Sequence, residues 1–287
     1  MSELRIGVSG WKYESWRKDF YPKGLKQSRE LEYISRKMNS VEINGSFYSL
    51  QRPASYKRWG GETPDDFLFS VKGSKYISHM KKLVDVRKPL ANFFASGVLM
   101  LGNKLGPILW QFPPWLQYDR ERMSDFLDLL PRTSSAASKL AQEHTLKKKD
   151  WVATDAIART NIRYAFEPRH NSFFTEDFVQ LLREYNAALV FADTADKWPY
   201  VEDVTSDFIY VRLHGREELY AGGYTDAQLD HWAKRIKSWR SGAEPRDAKR
   251  IAKKMGSKKT PRDVYVYFDN SITNHAPLDA ISLASRF

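Results

Sequence analysis

Residues 210–215 read YVRLHG, and the explanation of this stretch decides the fold. Asp207-Phe208-Ile209 leads into it, so Phe208–Gly215 reads as a β-strand. Side chains two apart on a strand share a face, which puts Arg212 beside His214. Both lose hydration if that face is apolar, so something polar must meet them. A barrel supplies the answer, because its polar active-site mouth lies where the strands end.

Working outward, seven more runs have strand character: Leu4–Gly10, Ser40–Ser46, Phe67–Gly73, Leu105–Phe112, Asn161–Glu167, Ala188–Asp193 and Asp263–Asn270. Helical patterns alternate with them. Ser28–Met38 has a serine in the cap position, Ala54–Gly60 stops at a Gly-Gly pair, and Leu90–Leu101 is apolar. Thr175–Tyr185 opens on a threonine cap, Asp119–Leu130 and Thr225–Arg240 each carry an apolar face, and a last helix covers about Ala276–Arg286. The short connection Ala195–Ser206 contains Trp198-Pro199 and leaves little room for a helix. The predicted architecture is a single α/β domain over residues 1–287, a (β/α)8 TIM-like barrel. Two basic insertions, about 131–160 and 241–262, interrupt it, the first with an extra helical segment. A doubly wound open sheet is the alternative, but no Gly-x-Gly-x-x-Gly follows the first strand.

Each strand carries polar residues near its C-terminal end. In chain order these are Ser9 before Trp11, Glu42 with Asn44, Lys72, Gln111, Glu167 with Arg169 and His170, Asp193, Arg212 with His214, and Tyr267 with Asp269 and Asn270. The expectation is a shared polar pocket in which Glu42, Glu167 and Asp193 balance Lys72, Arg169 and Arg212. Each residue also has a plainer reading, as a satisfied core histidine or a structural ion pair. Trp11, Tyr48 and Tyr267 lie at or after strand ends, where they wall a pocket or pack in the core. Tyr220–Tyr224 (YAGGY) reads as a lid over the site or as a turn.

The chain has 287 residues, 42% hydrophobic and 28% charged, the composition of a globular protein. It lacks cysteine, which excludes disulfides, thiolate chemistry and Cys-ligated zinc. No signal-peptide pattern opens the sequence and no apolar run suits a bilayer, so a cytoplasmic location without membrane contact is expected. The net charge is +11. Much of it lies between Lys234 and Arg262, including Lys254, Lys258 and Lys259, with a smaller run at Lys147–Lys149. Such segments are solvated surface or a nucleic-acid footprint.

The blocks IGVSGW, VEINGSFY, TPDDFLFSVKG, LGPILWQFPP, FEPRH, VTSDFIYVRLHG, YAGGYTD and VYVYFDN, in that order, resemble the family of domain of unknown function 72, also called YecE-like. The resemblance runs from about Ile6 to Ala280 and implies a TIM-barrel-like fold. It places Glu42, Asn44, Lys72, Gln111, Glu167, Arg169, His170, Arg212 and His214 at family motif positions. Asp269, Asn274 and Asp279 depart from the family's usual asparagine, glycine and asparagine, setting the end of strand eight apart. The basic insertions are additions to the pattern.

Three cations at one mouth disfavour a divalent metal and favour an anion. No His-x-His or His-Glu-x-x-His spacing occurs, so neither metal nor cofactor is expected. The first functional reading is a pocket for a small phosphorylated or carboxylated, sugar-like ligand. Arg169 and Arg212 clamp the anion, Glu42 or Glu167 is the general base, His214 moves protons, and Asn44, Gln111 and Asn270 fix hydroxyls. A second is nucleic-acid binding through the insertions. A third is a metabolite-binding module without catalysis.

Overall fold

The structure is a computed structural model and describes residues 2–216, 218–253 and 260–287. Eight parallel strands close into a barrel in the order β1-β2-β3-β4-β5-β6-β7-β8. They are β1 (Leu4–Ser9), β2 (Ser40–Ile43), β3 (Leu68–Lys72), β4 (Leu105–Gln111), β5 (Tyr164–Glu167), β6 (Ala188–Asp193), β7 (Phe208–Leu213) and β8 (Asp263–Phe268). The chain also divides into two compact units, Met1–Glu42 with Asn171–Phe287, and Ile43–His170.

In the first unit β1 pairs with β2 and β8, and β7 with β6 and β8. The register sets Ser9 opposite Glu42 and Arg212 opposite Tyr267. Gly7 lies against the backbone of Ser40, where a Cβ would collide with the carbonyl. Alternation then sorts each strand. On β7, Ile209, Val211 and Leu213 are buried apolar residues, while Tyr210 and Arg212 take the other face. Trp239, from the helix Asp226–Arg240, packs on Phe191 of β6 with ring centres 5.2 Å apart.

In the second unit β4 pairs with β3 and β5. Trp110 and Phe166 pack against Phe126 of the helix Arg120–Leu129. Met123 and Leu127 extend the same buried stripe, the periodicity expected of an amphipathic helix.

The expected cap at Thr175 accepts a backbone N–H, and Asp119 and Thr225 cap their helices in the same way. The Thr225 cap is a full capping box with Gln228. Four local expectations are corrected. Ser28 lies inside a 3-10 turn, Gln27–Arg29, and the α-helix begins at Glu30 with no side-chain cap. The helix Pro53–Glu62 runs through both glycines. The Leu90–Leu101 segment breaks at Gly97, whose φ of 108° is left-handed, giving Arg87–Ala95 and a 3-10 stretch Val98–Lys104. Asn44 is not on a strand. β2 ends at Ile43, and Asn44 takes helical dihedrals to start the turn Gly45–Tyr48. Ser134–Ala141 supplies the extra helix of the first insertion, and none forms between β6 and β7.

Candidate functional site

Arg212, Glu42 and His214 are fully buried. Glu42 accepts from Arg212 twice, Nη2 to Oε1 at 2.9 Å and Nε to Oε2 at 3.2 Å. It also accepts from Ser9 Oγ at 2.8 Å and from the Tyr210 hydroxyl at 2.6 Å. Asp269 provides a second carboxylate, its Oδ2 standing 2.9 Å from Arg212 Nη2 and 3.0 Å from His214 Nδ1. His214 Nε2 faces Arg212 Nη1 at 3.3 Å. That arrangement fits a tautomer with the proton on Nδ1, toward Asp269. Asp269 therefore ties Arg212 and His214 into one network.

Clamp and proton-carrier roles are expected of Arg212 and His214 from the sequence. Arg212 is held bidentately by Glu42 and again by Asp269, so an incoming anion would meet two carboxylates already in place. Asp269 has 14% of its side chain exposed, whereas Arg212 and His214 have none. Tyr267 is likewise buried and shares a hydrogen bond with Ser40 at 2.7 Å. Trp11 is 7% exposed, and its carbonyl accepts from Tyr21.

Asp193 accepts from Arg216 and from the Tyr224 hydroxyl, both at 3.2 Å. Asn270 donates to Asp279 at 2.8 Å and to the Gly222 carbonyl at 2.9 Å. The Gly222 N–H bonds Glu218, and Thr273 bonds the Ala221 carbonyl. These ties hold the Tyr220–Tyr224 loop to Glu218, Asn270 and Thr273. Burial raises the Asp279 carboxyl, with the Asn270 bond opposing.

The second unit holds a different group. Gln111 donates to Glu167 Oε1 at 3.0 Å, and Arg169 reaches the same oxygen at 3.2 Å. Lys72 is 8% exposed, with Nζ 4.5 Å from the centre of the Phe47 ring. Phe47 also packs on His79. His79 lies on a π-helical turn, Tyr76–Met80, a feature often found at functional sites. Its pKa falls from 6.5 to about 4, first through burial, then through Lys72, Arg169 and Lys75. Trp115 contacts His79 and is 62% exposed, and Tyr48 is 67% exposed with Lys75 near its ring. Asn44 Oδ1 is buried without a hydrogen bond. His170 is half-buried after β5.

Sequence reasoning missed Lys75, His79 and Trp115. The available signal was the pairing of basic and aromatic residues in KGSKYISHM, directly after a strand. Among the described residues, no group of three or more His, Asp or Glu is placed to hold a metal. Among the described residues no helix is long and apolar enough to cross a membrane.

In the basic stretch Lys234–Arg262 some of the described cations are paired. Arg235 bonds Glu202 and Asp247, Arg250 pairs with Glu244, and Arg262 is buried against the Ala243 carbonyl. Lys254, Lys258 and Lys259 lie outside the described residues.

The family model described as protein of unknown function DUF72 matches residues 5–287. YunF of Bacillus subtilis is 28% identical over 126 residues, covering 42% of this chain and 44% of that protein. YecE of Escherichia coli K12 is 30% identical over 129 residues, covering 45% and 44%. The matched stretch thus spans less than half the length of these curated relatives. The crystal structure of a DUF72 family protein from Thermotoga maritima superposes with a TM-score of 0.72 at 23% identity, covering 99% of this chain and 98% of that one. One from Enterococcus faecalis gives 0.68 at 17%, covering 99% and 94%. At these identities the structural likeness speaks for the fold, while the match to the family model spans nearly the whole sequence. The chain belongs to the DUF72 family.

Proposed function

We propose that the protein binds a small anionic, sugar-like ligand, phosphorylated or carboxylated, at the ends of β3 and β5, and transforms it by general acid–base chemistry. One observation carries this reading: the charged groups that depress His79 are all cations, Lys72, Arg169 and Lys75, beside the aromatic residues Phe47 and Trp115. An anion is stabilised in such a field, and an exposed ring offers a face for a sugar. In this reading Lys72 and Arg169 contact the anion. Glu167, oriented by Gln111 and Arg169, serves as the base. Tyr48 and Trp115 border the ligand. The Glu42–Arg212–His214 network holds Asp269 in place instead of contacting the anion.

Thermal shift with glucose 6-phosphate, gluconate, glucose and a short DNA duplex, at low and moderate salt, tests the proposal. A ligand present at about a hundred times its Kd stabilises by roughly 2.7 kcal/mol. The expected result is a shift with glucose 6-phosphate or gluconate that survives moderate salt and is lost in Lys72→Met and Arg169→Gln. A shift seen only with DNA and erased by salt, or one unchanged in both variants, overturns it.

A further inference from the structure

A cleft of about 500 Å³ opens in the first unit between the β6–β7 connection and the helix Asp226–Arg240. Its charges are compensated in place. Asp193 meets Arg216, and Arg235 bridges Glu202 Oε2 at 2.8 Å and Asp247 at 2.9 Å while its Nε bonds His231. Aromatic rings form much of the remaining wall. Tyr200 and Trp232 pack edge to face at 6.2 Å, and Trp198 and Tyr224 line the same space.

One polar atom is poorly satisfied. Glu202 lines the cleft and is only 1% exposed. Arg235 takes its Oε2, while its Oε1 is buried with no well-formed hydrogen bond, the Tyr200 phenol beside it being a weak partner at best. A buried acceptor in that state is unfavourable until a donor arrives. The loop that brings Trp198 and Tyr200 to the cleft also holds Ala195 and Asp196 at φ of 49° and 59°. Left-handed dihedrals at non-glycine residues store strain, which is retained most often at binding sites.

The chemistry of the walls selects the ligand class. A net anion meets Asp193, Asp196, Glu202 and Asp247, and a net cation meets Arg216, Arg235 and Lys249. A neutral molecule avoids both penalties. It needs a hydroxyl to donate to Glu202 and a flat apolar face to lie against the rings. We infer that this cleft is a binding site for a neutral saccharide, seated against Trp198 and Tyr200 with a hydroxyl on Glu202 Oε1. It is separate from the anion site proposed above, and the two stand or fall independently.

Titration of the protein with cellobiose, maltose, glucose, glucose 6-phosphate and adenosine, followed by tryptophan fluorescence and calorimetry, tests the inference. The expected result is saturable binding of at least one of the three neutral saccharides. Trp198→Ala and Glu202→Gln each weaken it about tenfold or more, whereas Lys72→Met leaves it unchanged. Trp198 is part-exposed, so its variant reports on the cleft even if Glu202→Gln lowers stability. No saturable saccharide binding, binding unaffected by Trp198→Ala, or Trp198-dependent binding of only adenosine or glucose 6-phosphate overturns it.

Discussion

The ends of β7 and β8 and the ends of β3 and β5 carry the same kinds of residue: carboxylate, basic side chain, histidine and aromatic ring. They use them in opposite ways. In the first unit Arg212, Glu42, Asp269 and His214 draw together, and of these Asp269 reaches solvent. In the second, Lys72, Arg169 and Lys75 act on a half-buried imidazole, and Trp115 and Tyr48 stay exposed. Residue type at a strand end therefore does not fix exposure. What separates the two groups is how far each is closed from water.

The largest expected effect tests the closed side of this contrast. Arg212→Ala leaves Glu42 buried without its cation and removes a partner of Asp269. It should lower stability by about 3–5 kcal/mol, the usual penalty for breaking a buried ion pair from one side. Urea denaturation measures it, and a loss below about 1 kcal/mol would mean that water already enters the network. On the open side, Lys72→Met should change stability by less than about 1 kcal/mol while weakening glucose 6-phosphate binding about tenfold. Equal losses in both variants would erase the distinction.

His79 sharpens the comparison through pH. Its proton is held at about 4 in the fold against 6.5 ordinarily, mainly because of burial and then Lys72. Between those values the unfolded chain binds a proton that the folded chain refuses. Stability from this group is therefore present above 6.5 and is lost as pH falls toward about 4. His79→Gln should flatten that slope in thermal unfolding scans. Bound glucose 6-phosphate should raise the His79 titration followed by NMR, because the anion offsets the neighbouring cations. An unmoved His79 titration at saturating ligand would place the anion elsewhere. The smallest effect belongs to Ser9→Ala, which removes one of several donors to Glu42 and should destabilise by about 1 kcal/mol.

The barrel was legible because each strand is a short apolar run and the longer helices carry apolar faces. Thr175 works as a cap for the reason its position suggests. Asn44 defeated the periodicity argument, since Glu42 and Asn44 look like one strand face until the chain turns at Gly45. The strand-end residues were legible as a set, but their exposure was not. Nothing local to YVRLHG tells that Arg212 finds two carboxylates, because Glu42 is 170 residues away. His79 and Lys75 escaped because a π-helical turn has no period that marks it in a sequence. Glu202 and Arg235 escaped for the same reason as Arg212: their pairing spans 33 residues and two unlike elements.

That separation of 170 residues has a meaning for the chain as it is made. Glu42 leaves the ribosome long before Arg212 does. At ordinary elongation rates the interval is roughly 10 to 30 s, far longer than local helices and hairpins need to form. Through that interval β2 carries a carboxylate with no cation to neutralise it, and dehydrating that carboxylate is unfavourable. Full burial of Glu42 therefore waits on β7 and its guanidinium, and the network can close only after most of the chain has been made.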